Sequence, residues 1–203
     1  MTGTPDLWLW WTDYRGLPEE PYTEMLLPEQ RDALSALSHP KRRREFIFSR
    51  CLYNALARRL GFQPLGAFPP HSPHPPMQRP GETCYTSMTH SGGFAAVAAS
   101  LGCPVSVDME LMKKRDFGRL VHELFPDKYS VFLKEGGKCE FFYALWCEKE
   151  CAYKWPGGSS GISYWHKTVP AGQARLHFCL SFLQKGASLR FRQVLPDGAG
   201  LGR

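Results

Sequence analysis

Three carboxylates and two lysines in the second half of this 203-residue chain have the spacing of a site that handles phosphate through a metal ion. Asp108 and Glu110 alternate with Val105, Val107 and Met109. Side chains two apart in a strand share a face, so the two acids project together and the apolar residues point the other way. About forty residues on, Trp146, Glu150 and Lys154 recur every four positions, with Lys149 next to Glu150. On a helix that spacing forms one stripe, bringing a third carboxylate and a cation to meet the first two. Oxygen-only ligands favour a hard ion, and an incomplete set that leaves room for water and substrate phosphates suits Mg²⁺ better than a closed Ca²⁺ cage. The alternative for the same residues is a solvated strand plus an intrahelical Glu150–Lys154 ion pair, which contributes only about 0.3–0.5 kcal/mol.

The elements needed to position these groups can be read on either side of them. Asp6 to Tyr14 mixes Leu, Trp and Thr in partial alternation and predicts a strand. Leu27 to Leu37 predicts a short helix opened by Pro28 and Glu29. Ser38 then serves as N-cap of a long helix with Phe46, Leu52, Tyr53, Leu56 and Leu60 at helical spacing, ending at Gly61. Seven prolines between Phe62 and Glu82 predict a loop, where His71 and His74 lack the helix that would hold them as a metal pair. Thr83 to Thr89 and Phe94 to Leu101 predict strands around a Ser91-Gly92-Gly93 turn, with His90 at the strand end beside backbone amides able to hold a phosphate. Helices are expected near Phe117 to Phe125, Asp127 to Lys134 and Glu140 to Trp155, the last closed by Pro156-Gly157-Gly158. Strands follow at Arg175 to Leu183 and Ser188 to Leu195.

Bulk properties narrow the function classes. With 43% apolar and 22% charged residues the chain reads as globular, large enough for one large or two small domains. No run of eighteen apolar residues exists, and no basic region precedes the apolar Leu7 to Trp11 run, so no membrane span or secretory leader is expected and the expected address is cytoplasmic. Seven cysteines without a C-x-x-C pair predict reduced thiols. From Lys41 to Arg59 there are seven cations against Glu45 alone, an excess equal to the +6 of the whole chain. Such a run is either a solvated helix face or a dock for an anion. A nucleic-acid-binding module using these cations with Trp8, Trp10 and Trp11 explains the charge but leaves the acidic trio idle.

The V-D-x-E run, followed by W-x-x-K-E-x-x-x-K and preceded by Thr89-His90-Ser91, resembles the signature of the Sfp-type 4'-phosphopantetheinyl transferases, over roughly Leu27 to Lys154. The resemblance implies an α/β (α+β) fold of two similar α/β subdomains in a pseudo-twofold arrangement with the active site between them. The halves would be residues 1–103, with the coenzyme A-binding helix and histidine motif, and 104–203, with the carboxylates and the carrier-docking surface. It implies Mg-dependent transfer of 4'-phosphopantetheine from coenzyme A to a serine of an apo acyl or peptidyl carrier protein, releasing adenosine 3',5'-bisphosphate, by a monomer with no nucleic-acid or membrane partner. Residue by residue, Asp108, Glu110 and Glu150 would hold the metal, with Glu150 also taking the serine proton and Lys154 serving the leaving phosphate. Arg50, Thr89, His90 and Lys149 would contact coenzyme A, His90 at its 3'-phosphate, and Arg79 would lie against the adenine. Lys113 and Lys114, with Phe117 and Leu120, are expected to receive the carrier. Departures from the family are Ser106 where most relatives have glycine, the missing tryptophan before the histidine motif, the extra acid Glu148, and a short C-terminal third; Ser106 and the short C-terminal third leave room for a catalytically silent scaffold of the same fold.

Overall fold

The computed structural model describes residues 6–66, 74, 76–155, 161–183 and 187–196. His71 and the Pro156-Gly157-Gly158 stop lie outside the described residues. Strand β1 (Asp6–Asp13) is the centre of the molecule, hydrogen-bonded on both edges and covered on both faces. Trp8 and Trp10 enter one apolar cluster with the long helix, and Leu7, Leu9 and Trp11 enter another with a second sheet. Burial on both faces explains why its sequence is almost continuously apolar instead of cleanly alternating.

Helices α1 (Glu20–Glu24) and α2 (Pro28–Ser35) precede α3 (Pro40–Arg59). Every residue of α3 from Glu45 to Ala57 is buried, because the sheet packs on one side and the two short helices on the other. Its cap is His39, with Pro40 at the first helical position, one residue later than the expected Ser38. Proline is favoured there because its missing N–H would be unpaired in any case. Strands β2 (Gln63–Pro64) and β3 (Met77–Arg79) emerge from the proline-rich stretch, and β4 (Glu82–Ser91) and β5 (Phe94–Leu101) form a hairpin. The alanines of β5 are all buried, Ala95 and Ala99 toward α3 and Ala96 and Ala98 toward the second sheet. Packing against two layers thus overrides the weak strand propensity of alanine.

The second half contributes β6 (Val105–Leu111), α4 (Phe117–Leu124), a 3₁₀ turn, α5 (Tyr129–Lys134), α6 (Cys139–Lys154), β7 (Ser163–Ala171), β8 (Ala174–Phe182) and β9 (Ser188–Gln193). The strands make a six-stranded sheet in the order β2-β3-β4-β5-β1-β9 and a three-stranded sheet β6-β8-β7. Both halves repeat one connectivity: a strand, a long helix, then a hairpin whose second strand pairs antiparallel with the first strand. The fold is mixed α/β, as expected. β9 comes from the second half of the sequence yet lies parallel to β1 at the edge of the first sheet, so the two sheets do not divide cleanly at residue 103. Strand β7 was not expected from sequence. It is an edge strand with half-buried side chains and Pro170 near its end, where proline is tolerated because one row of amides is unpaired.

Candidate active site

Strand β4 carries the candidate site because its two faces meet different partners. Ser87, Thr89 and Ser91, two apart, turn toward the free edge of β6. Ser87 Oγ accepts from Val107 N at 3.1 Å, Thr89 Oγ1 donates to Asp108 Oδ1 at 3.1 Å, and Ser91 Oγ donates to Glu110 Oε2 at 2.7 Å while accepting from Leu111 N at 3.2 Å. These hydroxyls stitch the two sheets together and hold both carboxylates from behind. Met88 and His90, on the alternate face, turn toward α3, where Met88 Sδ meets Arg50 at 3.8 Å and His90 Nδ1 lies 3.5 Å from Glu45 Oε1. His90 is therefore part of the strand, one residue from its end and paired opposite Ala95, as expected, but its side chain turns toward α3. Gly92 and Gly93 make that turn at positive φ, with Leu111 and Arg15 packed where side chains would stand.

Helix α6 closes the site from the other side. Lys154 Nζ donates to Asp108 Oδ1 at 2.8 Å and to the Val107 carbonyl at 3.0 Å. Burial alone would push the Lys154 amine down, but the Asp108 carboxylate beside it holds it above its ordinary value. Glu150 sits one turn earlier on the same helix, half-buried. Burial pushes the Glu110 carboxyl up and neighbouring Asp108 adds to this, while hydrogen bonds from Ser91 and Trp146 act in the opposite direction. Trp146 thus serves a carboxylate as well as stacking on Phe142. The second Asp108 oxygen, Oδ2, is buried with no hydrogen-bond partner among the described residues, and the buried Cys147 thiol interacts with the same carboxylate. A buried carboxylate oxygen left open is costly unless something fills it. An all-oxygen pair of adjacent acids with one unpartnered oxygen has the donor chemistry of a hard divalent cation. Among the described residues no group of three His, Cys, Asp or Glu is drawn together around one point, so Glu150 stands near the pair without closing a three-carboxylate cluster.

The polar face of the three-stranded sheet continues beyond the acids. His177 is the cross-strand neighbour of Glu110, and Cys179 that of Asp108. His166 Nδ1 and His177 Nε2 are 3.2 Å apart, His166 bonds Glu148 at 2.9 Å, and Thr168 bonds the other nitrogen of His177 at 3.0 Å. Burial and the adjacent His166 push His177 down to about 4. This network, which gives the extra acid Glu148 a partner, was not legible in sequence because β7 was not. Ser106, the departure from glycine, is buried with its hydroxyl unpaired among the described residues.

The remaining residues singled out from sequence are dispersed. The Lys41 to Arg59 run does not form one patch, because five turns of helix distribute it. Arg43 caps the Leu34 and Leu37 carbonyls and Arg44 those of Tyr14 and Leu17, while Lys41 and Arg42 face Glu45. Arg50 is buried with its guanidinium 4.6 Å from the Phe46 ring, and desolvation brings it down to about 10. Arg79 pairs with Glu82 and the Leu60 carbonyl and stacks on Phe62. It lies opposite the start of β4, eight residues from His90, or about 27 Å at the usual strand rise. Lys149 is exposed, its amine 5.6 Å from the Phe125 ring and 5.8 Å from that of Trp146. Lys113 and Lys114 are exposed, while Phe117 and Leu120 are half-buried against Val121, Phe132, Phe142 and Tyr143. His74 bonds the Thr86 carbonyl at 2.8 Å and the Lys154 carbonyl, tying the proline-rich stretch to the end of α6. All seven cysteines are free thiols, as expected.

Residues 30–100 match the family model of the 4'-phosphopantetheinyl transferase N-terminal domain. The match runs from α2 through β5 and so includes Glu45, Arg50 and the Thr89-His90-Ser91 motif, while the β6 carboxylates and α6 lie beyond it. Comparison with curated proteins gave no match. No helix among the described residues is long and apolar enough to cross a membrane.

Proposed function

We propose that this chain, whose residues 30–100 match a 4'-phosphopantetheinyl transferase N-terminal domain, moves 4'-phosphopantetheine from coenzyme A to a serine hydroxyl of an apo acyl or peptidyl carrier protein. The observation that carries the reading is Asp108: a buried carboxylate with one oxygen held by Thr89 and Lys154, the other without a hydrogen-bond partner among the described residues, and Glu110 beside it. A divalent cation such as Mg²⁺, held by Asp108 and Glu110 with Glu150 of α6 offering a third carboxylate, would supply charge neutralisation at the pyrophosphate. Phosphoryl transfer asks a protein mainly for positioning and electrostatic stabilisation, and the chain's own residues are suited to both. The serine oxygen forms a bond to phosphorus as the bond to the departing adenosine 3',5'-bisphosphate oxygen breaks. Glu150, half-buried and on a separate element, takes the serine proton directly or through water. Lys154, already charged and anchored on Asp108, offers its field to the leaving phosphate. His90, with Arg42 across from it on α3, receives the 3'-phosphate. The protein would act as a cytoplasmic monomer.

The test is mass spectrometry of a panel of apo carrier proteins incubated with the protein, coenzyme A and Mg²⁺. A phosphopantetheine increment on serine is expected, abolished by Asp108→Ala and by Glu110→Ala. A panel left unmodified by a folded, coenzyme A-binding protein would favour a silent scaffold. Salt-dependent oligonucleotide binding indifferent to excess coenzyme A would favour the nucleic-acid reading instead.

A further inference from the structure

We infer that Glu45 is the positioning residue for His90, fixing the imidazole so that only its doubly protonated form can hold a phosphate. This rests on the reading above, in which His90 meets the 3'-phosphate of coenzyme A. The Glu45 carboxylate is 6% exposed and is held in place by Arg42 at 3.1 Å and Lys41 at 3.7 Å. His90 Nδ1 faces it at 3.5 Å, and the His90 side chain is 37% exposed, so one edge of the ring faces Glu45 while part of the side chain remains accessible to solvent.

A carboxylate only accepts hydrogen bonds, so Glu45 favours the neutral His90 tautomer with its single proton on Nδ1. Nε2 then carries a lone pair, which repels a phosphate oxygen. The imidazolium has a proton for each partner and bridges Glu45 to the incoming anion. The charged groups facing His90 are Glu45, Arg42 and Arg50 from α3 and Lys154 from α6. Its neighbours Thr89 and Ser91 on β4 are neutral, and Lys41, Arg44 and Tyr14 act on the Glu45 side. Burial first, and then the three cations, hold the free imidazole below the ordinary histidine value, with Glu45 alone opposing them. In the unliganded protein the ring is therefore neutral at mildly alkaline pH, and a bound dianion draws a proton onto it.

Proton uptake is measured by titration calorimetry at about pH 8 in buffers of different ionisation enthalpy, where the phosphate itself is already dianionic. Coenzyme A should bind with uptake of about one proton and 3'-dephospho-coenzyme A with none. The wild-type preference for coenzyme A should fall toward tenfold per pH unit as His90 loses its proton, about the limit for one linked proton. In Glu45→Gln the amide can donate to Nδ1 and leave a neutral ring with its proton on Nε2. Uptake should then vanish and the preference become independent of pH, whereas a merely structural role would weaken both ligands and leave the slope unchanged. His90→Gln should lose the uptake and most of the preference together. Glu45→Gln retaining wild-type uptake and slope would overturn the inference. So would a wild-type protein that prefers coenzyme A without uptake, a measurement that needs no variant and leaves the functional reading standing. A wild-type protein that binds neither ligand, or both equally at every pH, would overturn the functional reading and this inference with it.

Discussion

At the residue scale the most consequential pair is Asp108 with Lys154, because both are buried and each has few alternatives. Their side chains are 7% and 15% exposed, and breaking such a pair from one side leaves an uncompensated buried charge. Lys154→Met should cost about 3–5 kcal/mol in urea unfolding. The double variant with Asp108→Asn should cost clearly less than the two singles added, and strict additivity would mean the two groups do not act as a pair. His177 gives a pH dependence of definite sign. Its folded value of about 4 lies below that of an unfolded histidine, so the unfolded chain binds the extra proton first as pH falls. Stability contributed by the neutral ring is present above about pH 6.5 and lost as pH drops toward 4, amounting to about 3 kcal/mol. Thermal or urea melts across that window should show the loss, and His177→Gln should flatten it.

At the element scale β4 does most of the positioning, since its period of two sends hydroxyls to β6 and His90 to α3. The helices α4 and α5 have a different character. Phe117, Leu120 and Phe125 pack into a small apolar cluster with α6, while Leu124, Val131 and Leu133 remain exposed and Lys113 and Lys114 stand free before the first helix. An apolar surface beside exposed cations suits a partner with an acidic, partly apolar face, as the proposed carrier would be, the cations steering and the apolar groups anchoring. Charge reversal at Lys113 and Lys114 should therefore raise the apparent KM for carrier, more at low salt, without changing that for coenzyme A. Equal effects on both substrates would remove this surface from consideration.

At the scale of the whole molecule the two sheets are bound by the cluster between them, in which Leu7, Leu9 and Trp11 of β1 meet Val105, Val107 and Met109 of β6 and Leu176, Phe178 and Leu180 of β8. β9 completes this arrangement by covering the outer edge of β1, with Leu189 and Phe191 packed against the same cluster. A chain ending at residue 187 would expose an apolar central strand as an unprotected edge, a setting that promotes edge-to-edge association. It should accumulate in the insoluble fraction or, if recovered, unfold at markedly lower urea. A soluble truncation with an unchanged midpoint would show that β9 is dispensable.

The carboxylate pair was legible because a strand's alternation is strict: once Val105, Val107 and Met109 are assigned to the core, Asp108 and Glu110 must leave it together. The stacking of Trp146, Glu150 and Lys154 followed from helical spacing in the same way, and so did the long helix α3. What local periodicity does not encode is which face of one element meets which face of another. Sequence placed His90 at the strand end beside the glycine turn and made one patch of the Lys41 to Arg59 cations, but could not say that the ring would face Glu45 or that Arg43 and Arg44 would be spent on backbone carbonyls. Strand β7, half-buried at an edge, left too weak an alternation to be seen, and with it went the His166–His177 network. Lys154 could be read as the partner of Glu150 one turn away. Only the packing of α6 across β6 decided that its amine would be held by Asp108, because a buried charge takes the nearest opposite charge in space, whatever its distance along the chain.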